Sequence, residues 1–424
     1  MGAVCNDHFY RENVNFKNNF FESIGMTRPV LALSAARLAD AMGNSILFIL
    51  IPLYIAKIPH DYFHFAVPIL VGILVSIFGF VNSFLQPLMG ALSDHLGRRK
   101  LLIQLGLAVI GLSTIAFVFA GNYTALLLLR ILQGVGIALT IPASLSLMTA
   151  ITVKESRGGS MGIFTTFRMI GFAIGPLIGG FLQVHYGFNT AFYVGAGLIF
   201  LSMFLVQIWV EDIPIIYDGS KPRRFRIIDL SLLSPGIISA ATATFTMASA
   251  FSMVTTLENE FNARLDITAI GFSIAFSMLM VGRLIFQIPL GRYSDKIGRK
   301  PLILIGLILM AITTALLGES ATLTQMIILR LIQGVAAAAI AAPAFAVAAD
   351  LAKSGGEGRQ MSVITMGFGL GIAAGPLLAG LLAVIFFELP FIVIGAMSLA
   401  GALVVLRYLP ETVKSEKTLF TPHN

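Results

Sequence analysis

Asp40 is an acid where acids are expensive. It lies in an otherwise apolar stretch, residues 29–56, and a charge in the middle of a membrane costs about 3 kcal/mol on insertion scales. Arg37 precedes it by three residues, so the two share one helical face. Two readings stay open: a local pair that neutralises itself so that the helix inserts, or a titratable carboxylate facing a cavity. Arg130, Arg168, Arg283 and Arg330 fall in similarly apolar stretches, whereas Asp40 is the sole acid well inside one. Such residues can take up protons and recognise charge. Covalent catalysis within a membrane would need paired Asp or Ser/His groups at depth. His60, His64, His95 and His185 instead fall in or beside polar breaks, with His8 and His423 near the ends. Cys5 is the single cysteine, which leaves no intramolecular disulfide and no cysteine metal cluster. Neither an enzyme nor a metal site is expected.

The elements that must position these residues follow from composition. Of 424 residues, 57% are apolar and 12% charged, about half the charged share of a soluble domain. Mean hydropathy is +0.90. At about 20 residues per crossing, this apolar content suffices for about twelve membrane-spanning helices. The runs are continuous rather than alternating, which excludes an outer-membrane barrel. A soluble enzyme, a nucleic-acid binder and a disordered chain are excluded too. The formal charge of +7 is read as an excess of Lys and Arg in the loops of one face.

Apolar runs set against polar breaks place spans at 29–56, 67–89, 101–120, 124–150, 159–182 and 189–210, then at 230–257, 268–290, 301–318, 323–350, 360–386 and 389–409. The expected protein is all-α: a tail 1–28, a six-helix half 29–210, a hydrated linker 211–229, a second half 230–410 and a tail 411–424. The first tail has no short apolar core with a cleavage site and reads as cytoplasmic rather than as a cleaved signal. The connections 57–66, 121–123, 183–188, 258–267, 319–322 and 387–388 hold two basic residues, Lys57 and Arg264, while the alternate set with both tails holds 21. That split places both termini in the cytoplasm and the chain in a cytoplasmic (inner) membrane.

The halves echo each other. GALSDHLGRRK at 90–100 recurs as GRYSDKIGRKP at 291–301, RILQGVG at 130–136 as RLIQGVA at 330–336, and GFAIGPLIGG at 171–180 as GIAAGPLLAG at 371–380. Three motif pairs in one order, 200 or 201 residues apart, make a repeat. An even number of helices per half makes the two insert in parallel, an arrangement in which a substrate binds near the midplane and the halves rock about it.

These residues resemble the major facilitator superfamily, and within it the twelve-span drug:proton antiporters, from about Arg28 to Glu411. The loop signature Gly-x-x-x-Asp-x-x-Gly-Arg-Arg/Lys occurs twice, as Gly90, Asp94, Gly97, Arg98 and as Gly291, Asp295, Gly298, Arg299. The Gly-x-x-x-Gly-Pro pattern of span 5, Gly171, Gly175 and Pro176, is associated with antiporters and recurs as Gly371, Gly375 and Pro376. VED at 210–212 and LPET at 409–412 also fit.

Gly90 and Gly97 allow close approach and tight turning, and Asp94 suits a neighbouring helix N-terminus. The resemblance implies that this neighbour is the start of span 11, near Gln360, in one conformational state. In the second copy Arg299 can pair with Asp350, whereas the matching position of the first half is Ala150 and a relay there would have to use Glu155. The glycines of spans 5 and 11 form small-residue faces for helix packing, and each proline bends its span. The run Gly367, Gly369, Gly371 looks like a nucleotide-binding loop but has no flanking strand. Resemblance gives Arg130 a role in proton coupling, makes Arg330 more structural, and gives an acid upstream of a proline in span 1, here Asp40 before Pro52, a role in proton or substrate binding.

Arg168 and Arg283 have no charged counterparts at Phe368 and Asn82. With Arg37 they make the site more basic than acidic, which favours an anionic or zwitterionic substrate. The expected activity is proton-coupled export of a small organic molecule by alternating access. The alternative is import or export of an organic anion or zwitterion, such as a metabolite or metal chelator. No Walker motif is present, so a proton gradient rather than a cofactor or ATP is the expected energy source. The expected partners are the small-molecule substrate and the bilayer, with no nucleic acid, and the chain is expected to act as a monomer.

Overall fold

The computed structural model describes residues 26–58, 65–152, 157–211, 234–351 and 357–412; of Asp94, Arg157, Gly158, residues 357–360 and Ser362 it describes the backbone alone. Every regular element among the described residues is a helix. The first four are α1 (Arg28–Ile55), α2 (Val67–Leu96), α3 (Arg99–Ala116) and α4 (Tyr123–Ile151). A continuous helical stretch, Arg157–Trp209, is divided at the non-helical Gly187 into α5 (157–186) and α6 (188–209). Then follow α7 (Pro235–Thr256), a short α8 (Glu258–Leu265), α9 (Ala269–Ile297), α10 (Arg299–Gly318), α11 (Leu323–Asp350), α12 (Glu357–Ala383) and α13 (Leu389–Tyr408).

Eleven helical stretches among the described residues are long and apolar enough to cross a membrane. One of them, Gly159–Trp209, has 51 residues. Straight, it would run about 76 Å, far beyond a single crossing of about 30 Å. The break at Gly187 makes it two crossings, and the total among the described residues twelve. The chain is a multi-pass integral membrane protein.

Three local readings change. The connection expected at 183–188 shrinks to one residue, Gly187, whose φ of 83° turns the chain without a loop. The loop expected at 258–267 contains α8. The loop signatures are mostly helical: α2 runs on to Leu96 and α9 to Ile297, so Gly90, Asp94, Gly291 and Asp295 sit within helices. The turns themselves are made by Gly97 (φ 65°) and Gly298 (φ 107°). The linker expected at 211–229 lies outside the described residues except for Glu211, as do both tails except for Met26 to Arg28, Glu411 and Thr412.

The repeat extends to helix ends. Asn122 caps α4 by accepting from the Ala125 N–H at 2.8 Å, and Thr322 caps α11 by accepting from Gln325 at 3.3 Å. We call the face where α1 begins and α13 ends the terminus side, and the other the far side. On the far side the halves meet. Gly180 of α5 packs on Ala269 and Ser273 of α9, Gly380 of α12 packs on Pro68 of α2, and Asn259 of α8 donates to the Pro52 carbonyl of α1 at 2.8 Å.

The cores of the two halves differ. The second half has one continuous apolar cluster, from Ile237 through Phe276 and Ile340 to Leu409, which also takes in Ile49 and Ala173 of the first half. The first half has two separate clusters. One lies toward the terminus side around Leu33, Leu107, Leu147 and Val206, the other toward the far side around Leu50, Leu74, Phe117 and Phe192. Between them lies a polar layer.

Candidate functional site

That layer holds Asp40. Arg37 and Asp40 form an ion pair one helical turn apart on α1, both buried. Asn44, the next turn on, donates to Asp40 Oδ1 at 2.6 Å and to its backbone carbonyl at 3.0 Å. A small cavity beside the pair is lined by Arg37, Asp40, Thr140, Ser144, Phe164 and Ser202. The rest of its lining, including Leu33, Leu107 and Val206, comes from the terminus-side apolar cluster, so the cavity belongs to α1, α3, α4, α5 and α6, inside the first half rather than between the halves.

Arg168 of α5 lies near this pair and also near Arg283 of α9, in the other half. Arg168 lies within electrostatic reach of Arg37, Arg283 and Asp40, so three guanidiniums and one carboxylate share a neighbourhood spanning both halves. Arg283 is buried and donates to Gln287 Oε1 at 3.1 Å.

Arg130 and Arg330 form two matching networks. Each donates from Nη1 to the glutamine three residues on, Gln133 or Gln333, at 3.0 Å. Each glutamine in turn donates to a threonine, Thr114 or Thr314, at 3.0 Å. The repeat therefore includes hydroxyls the motifs do not name. Arg130 also donates to the Leu74 carbonyl at 3.3 Å and stacks over Phe78 at 4.6 Å. Arg330 has no such acceptor among the described residues and lies over Phe276 at 5.3 Å.

Phe276 belongs to an aromatic row that sequence reading missed. Phe172 of α5 stacks on Phe48 of α1 at 5.8 Å, Phe48 meets Phe276 of α9 at 5.9 Å, and Phe276 meets Phe251 of α7 at 5.4 Å. Arg168 lies over Phe172 at 5.8 Å and Arg330 also over Phe251 at 5.9 Å, so a guanidinium caps each end. The row crosses the junction two helical turns beyond Asp40. No spacing in one chain segment signals it, because its four rings come from four helices.

The glycine faces are tight. A Cβ on Gly171 would stand 2.7 Å from the Leu38 carbonyl oxygen, and one on Gly371 2.2 Å from that of Phe245. Gly175 and Gly375 meet the backbones of α1 and α7 in the same way. The equivalent hydroxyls Ser45 and Ser252 donate to the carbonyls of Gly171 and Gly371 at 3.2 and 3.3 Å. Pro176 and Pro376 lie inside their helices. Gly90 and Gly291 are not tight: a Cβ there would meet only ordinary contacts at 3.5 Å.

The second loop motif is a network on the terminus side. Arg299 pairs with Asp295, places Nε 3.3 Å from Asp350 Oδ2, and donates to Ser294. Glu411 accepts from the backbone N–H groups of Arg299 and Lys300 at 2.9 and 3.2 Å, so the carboxylate at the start of α10 comes from LPET. Thr412 donates to Asp350 at 2.6 Å. In the first copy Arg98 is exposed at the N-cap of α3. The side chains of Asp94 and Gln360, and Glu155 altogether, lie outside the described part. Glu411→Gln should weaken the start of α10 by roughly 1 kcal/mol, read as a lower thermal midpoint in detergent. An unchanged midpoint would deny the cap any structural weight.

The sequence profile of the Major Facilitator Superfamily matches residues 33–284 and 236–421. The chain belongs to the major facilitator superfamily. Among curated relatives, the multi-drug resistance efflux pump PmrA of Streptococcus pneumoniae is 25% identical over 320 residues, covering 72% of this chain and 77% of PmrA. The multidrug resistance protein MdtG of Salmonella typhimurium is 25% identical over 297 residues, 68% of this chain and 72% of MdtG. Among solved structures, a bacterial homologue of the human lysosomal transporter Spinster, in an inward-facing and occupied conformation, aligns with a TM-score of 0.74 at 15% identity, over 89% of this chain and 95% of that one. That likeness is one of fold.

Proposed function

We propose that this major facilitator protein is a proton-coupled secondary transporter that exports small organic molecules, with the terminus side in the cytoplasm of an inner membrane. The observation that carries the reading is Asp40. Among the described residues it is the acid buried within the spans, and it sits in the polar layer that divides the core of the first half. A carboxylate held between a guanidinium and an amide can exchange a proton when its surroundings change. PmrA and MdtG, both named for drug resistance, support export. Rocking of the halves about the junction supplies alternating access, with no cofactor and no covalent step, and the chain works as a monomer in the bilayer.

Arg168 and Arg283 favour a second reading of the substrate. Two guanidiniums from opposite halves, close enough to feel each other's charge, suit a molecule carrying an anionic group between them. Uptake into everted vesicles tests both readings. Anionic or zwitterionic compounds should accumulate when the lumen is acidic, and a protonophore should abolish that accumulation at least tenfold. Uptake indifferent to the protonophore would remove proton coupling, and a preference for lipophilic cations would remove the anionic reading.

A further inference from the structure

Glu258 opens α8 at the far side, immediately after α7, and it is wholly buried. Neither carboxylate oxygen has a hydrogen-bond partner among the described residues. Its neighbours tie together the elements that close this side. Thr256 donates to the Pro376 carbonyl of α12 at 3.3 Å, and Asn259 donates to the Pro52 carbonyl of α1, in the other half, at 2.8 Å. Phe261, one turn further along α8, packs edge-on to Phe387 and Phe391. Of these contacts the Asn259–Pro52 bond crosses between the halves, so the buried acid lies in a seam next to a link that parting of the halves on the far side would break.

The surrounding charges do not neutralise it. Glu260 on the same helix is a like charge. Arg264 is bound to Glu388, whose carboxyl it holds below the usual range by hydrogen bonding. Lys57, at the end of α1, lies over the Phe188 ring at 4.9 Å, and Tyr54 donates to the Phe117 carbonyl. Asp266 is exposed beyond the end of α8, and Arg283 lies deep in α9. His60, Asp61 and His64 lie outside the described residues. Burial pushes the Glu258 carboxyl well above the usual carboxylate range, and the charge of Glu260 adds to that.

We infer that Glu258 is a second proton site, separate from Asp40, whose protonation is the condition for closing the far side. An ionised, unpartnered carboxylate is too costly to bury, so the closed seam needs the neutral acid. When the halves part and water reaches it, the group returns toward its ordinary acidity and gives up the proton. The sign follows: the closed state binds the proton more tightly, so acid favours closure, and closure is lost as pH rises. The export reading serves here only to make the far side external, where such a site would draw on the acidic compartment.

The experiment follows distance, not transport, so it stands apart from the assignment of Asp40. Spin labels at the exposed Ala56 and Ala263 span the seam, in a Cys5→Ser background. In lipid nanodiscs the ratio of short to long distances should fall with rising pH by up to about tenfold per unit, the limit for one proton. Glu258→Gln should keep the short distance at every pH, whereas Glu258→Asp should keep the pH response. A parent protein whose distance ignores pH, or a response that survives Glu258→Gln, would overturn the inference. So would a seam that answers to sodium at constant pH.

Discussion

Asp40→Asn is expected to abolish gradient-driven accumulation while leaving substrate counterflow within about twofold of the parent. One proton per turnover across one pH unit supplies about 1.4 kcal/mol, enough to concentrate a substrate about tenfold. A side chain that cannot release a proton cannot use that gradient, although the halves can still rock around the bound molecule. The ion pair complicates the test, since removing one partner leaves Arg37 buried without its counter-charge, at a cost of about 3–5 kcal/mol. The double variant Arg37→Gln with Asp40→Asn relieves that cost and should show the same separation of activities. Loss of both activities in the double variant, or retention of both, would assign Asp40 to the scaffold and turn attention to Arg130.

Gly175→Val should be the most damaging single change to packing. Even a Cβ at this position would stand 2.0 Å from Ser45 Oγ and 2.5 Å from the Met42 carbonyl oxygen. The serine can turn away, but the backbone of α1 cannot, so α1 and α5 must separate. A loss of at least ~2 kcal/mol is expected, read as a lower thermal midpoint and poor recovery of monodisperse protein in detergent. Gly197→Ala, where nothing lies within 4 Å, should be harmless. Equal behaviour of the two variants would mean that close approach is not what Gly175 provides.

The spans, the repeat and the Arg37–Asp40 pair were legible in the chain because each is a local signal: a run, an offset, a helical spacing. What escaped needed partners distant in sequence. The segment 183–188 reads as a loop because His185 and Gly187 interrupt the apolar pattern, yet helix continues through His185 and a single positive φ does the turning. Asn44 was open to inference, standing one turn beyond Asp40, and Thr114 with Thr314 share the 200-residue offset already noticed elsewhere. Glu258 could not be placed. Its segment looks hydrophilic, and burial there is imposed by α1 and α9 rather than by its own neighbours. The polar layer was hidden for the same reason: its members stand out one by one in separate runs, and only the packing of the helices gathers them.

The row of rings across the junction bears on electrical insulation. Protons move readily along chains of water, so any carrier that lives on their gradient must keep its two faces from being joined by one. Along α1, Phe48 stands about 12 Å past Asp40 and about 6 Å short of Pro52, where α8 touches. Four phenylalanines in contact across the junction present apolar rings, which a column of water wets poorly. If the protein works on a proton gradient as proposed, such a row would interrupt a conducting thread of water while the far side is shut, so that the idle protein would not short-circuit the membrane.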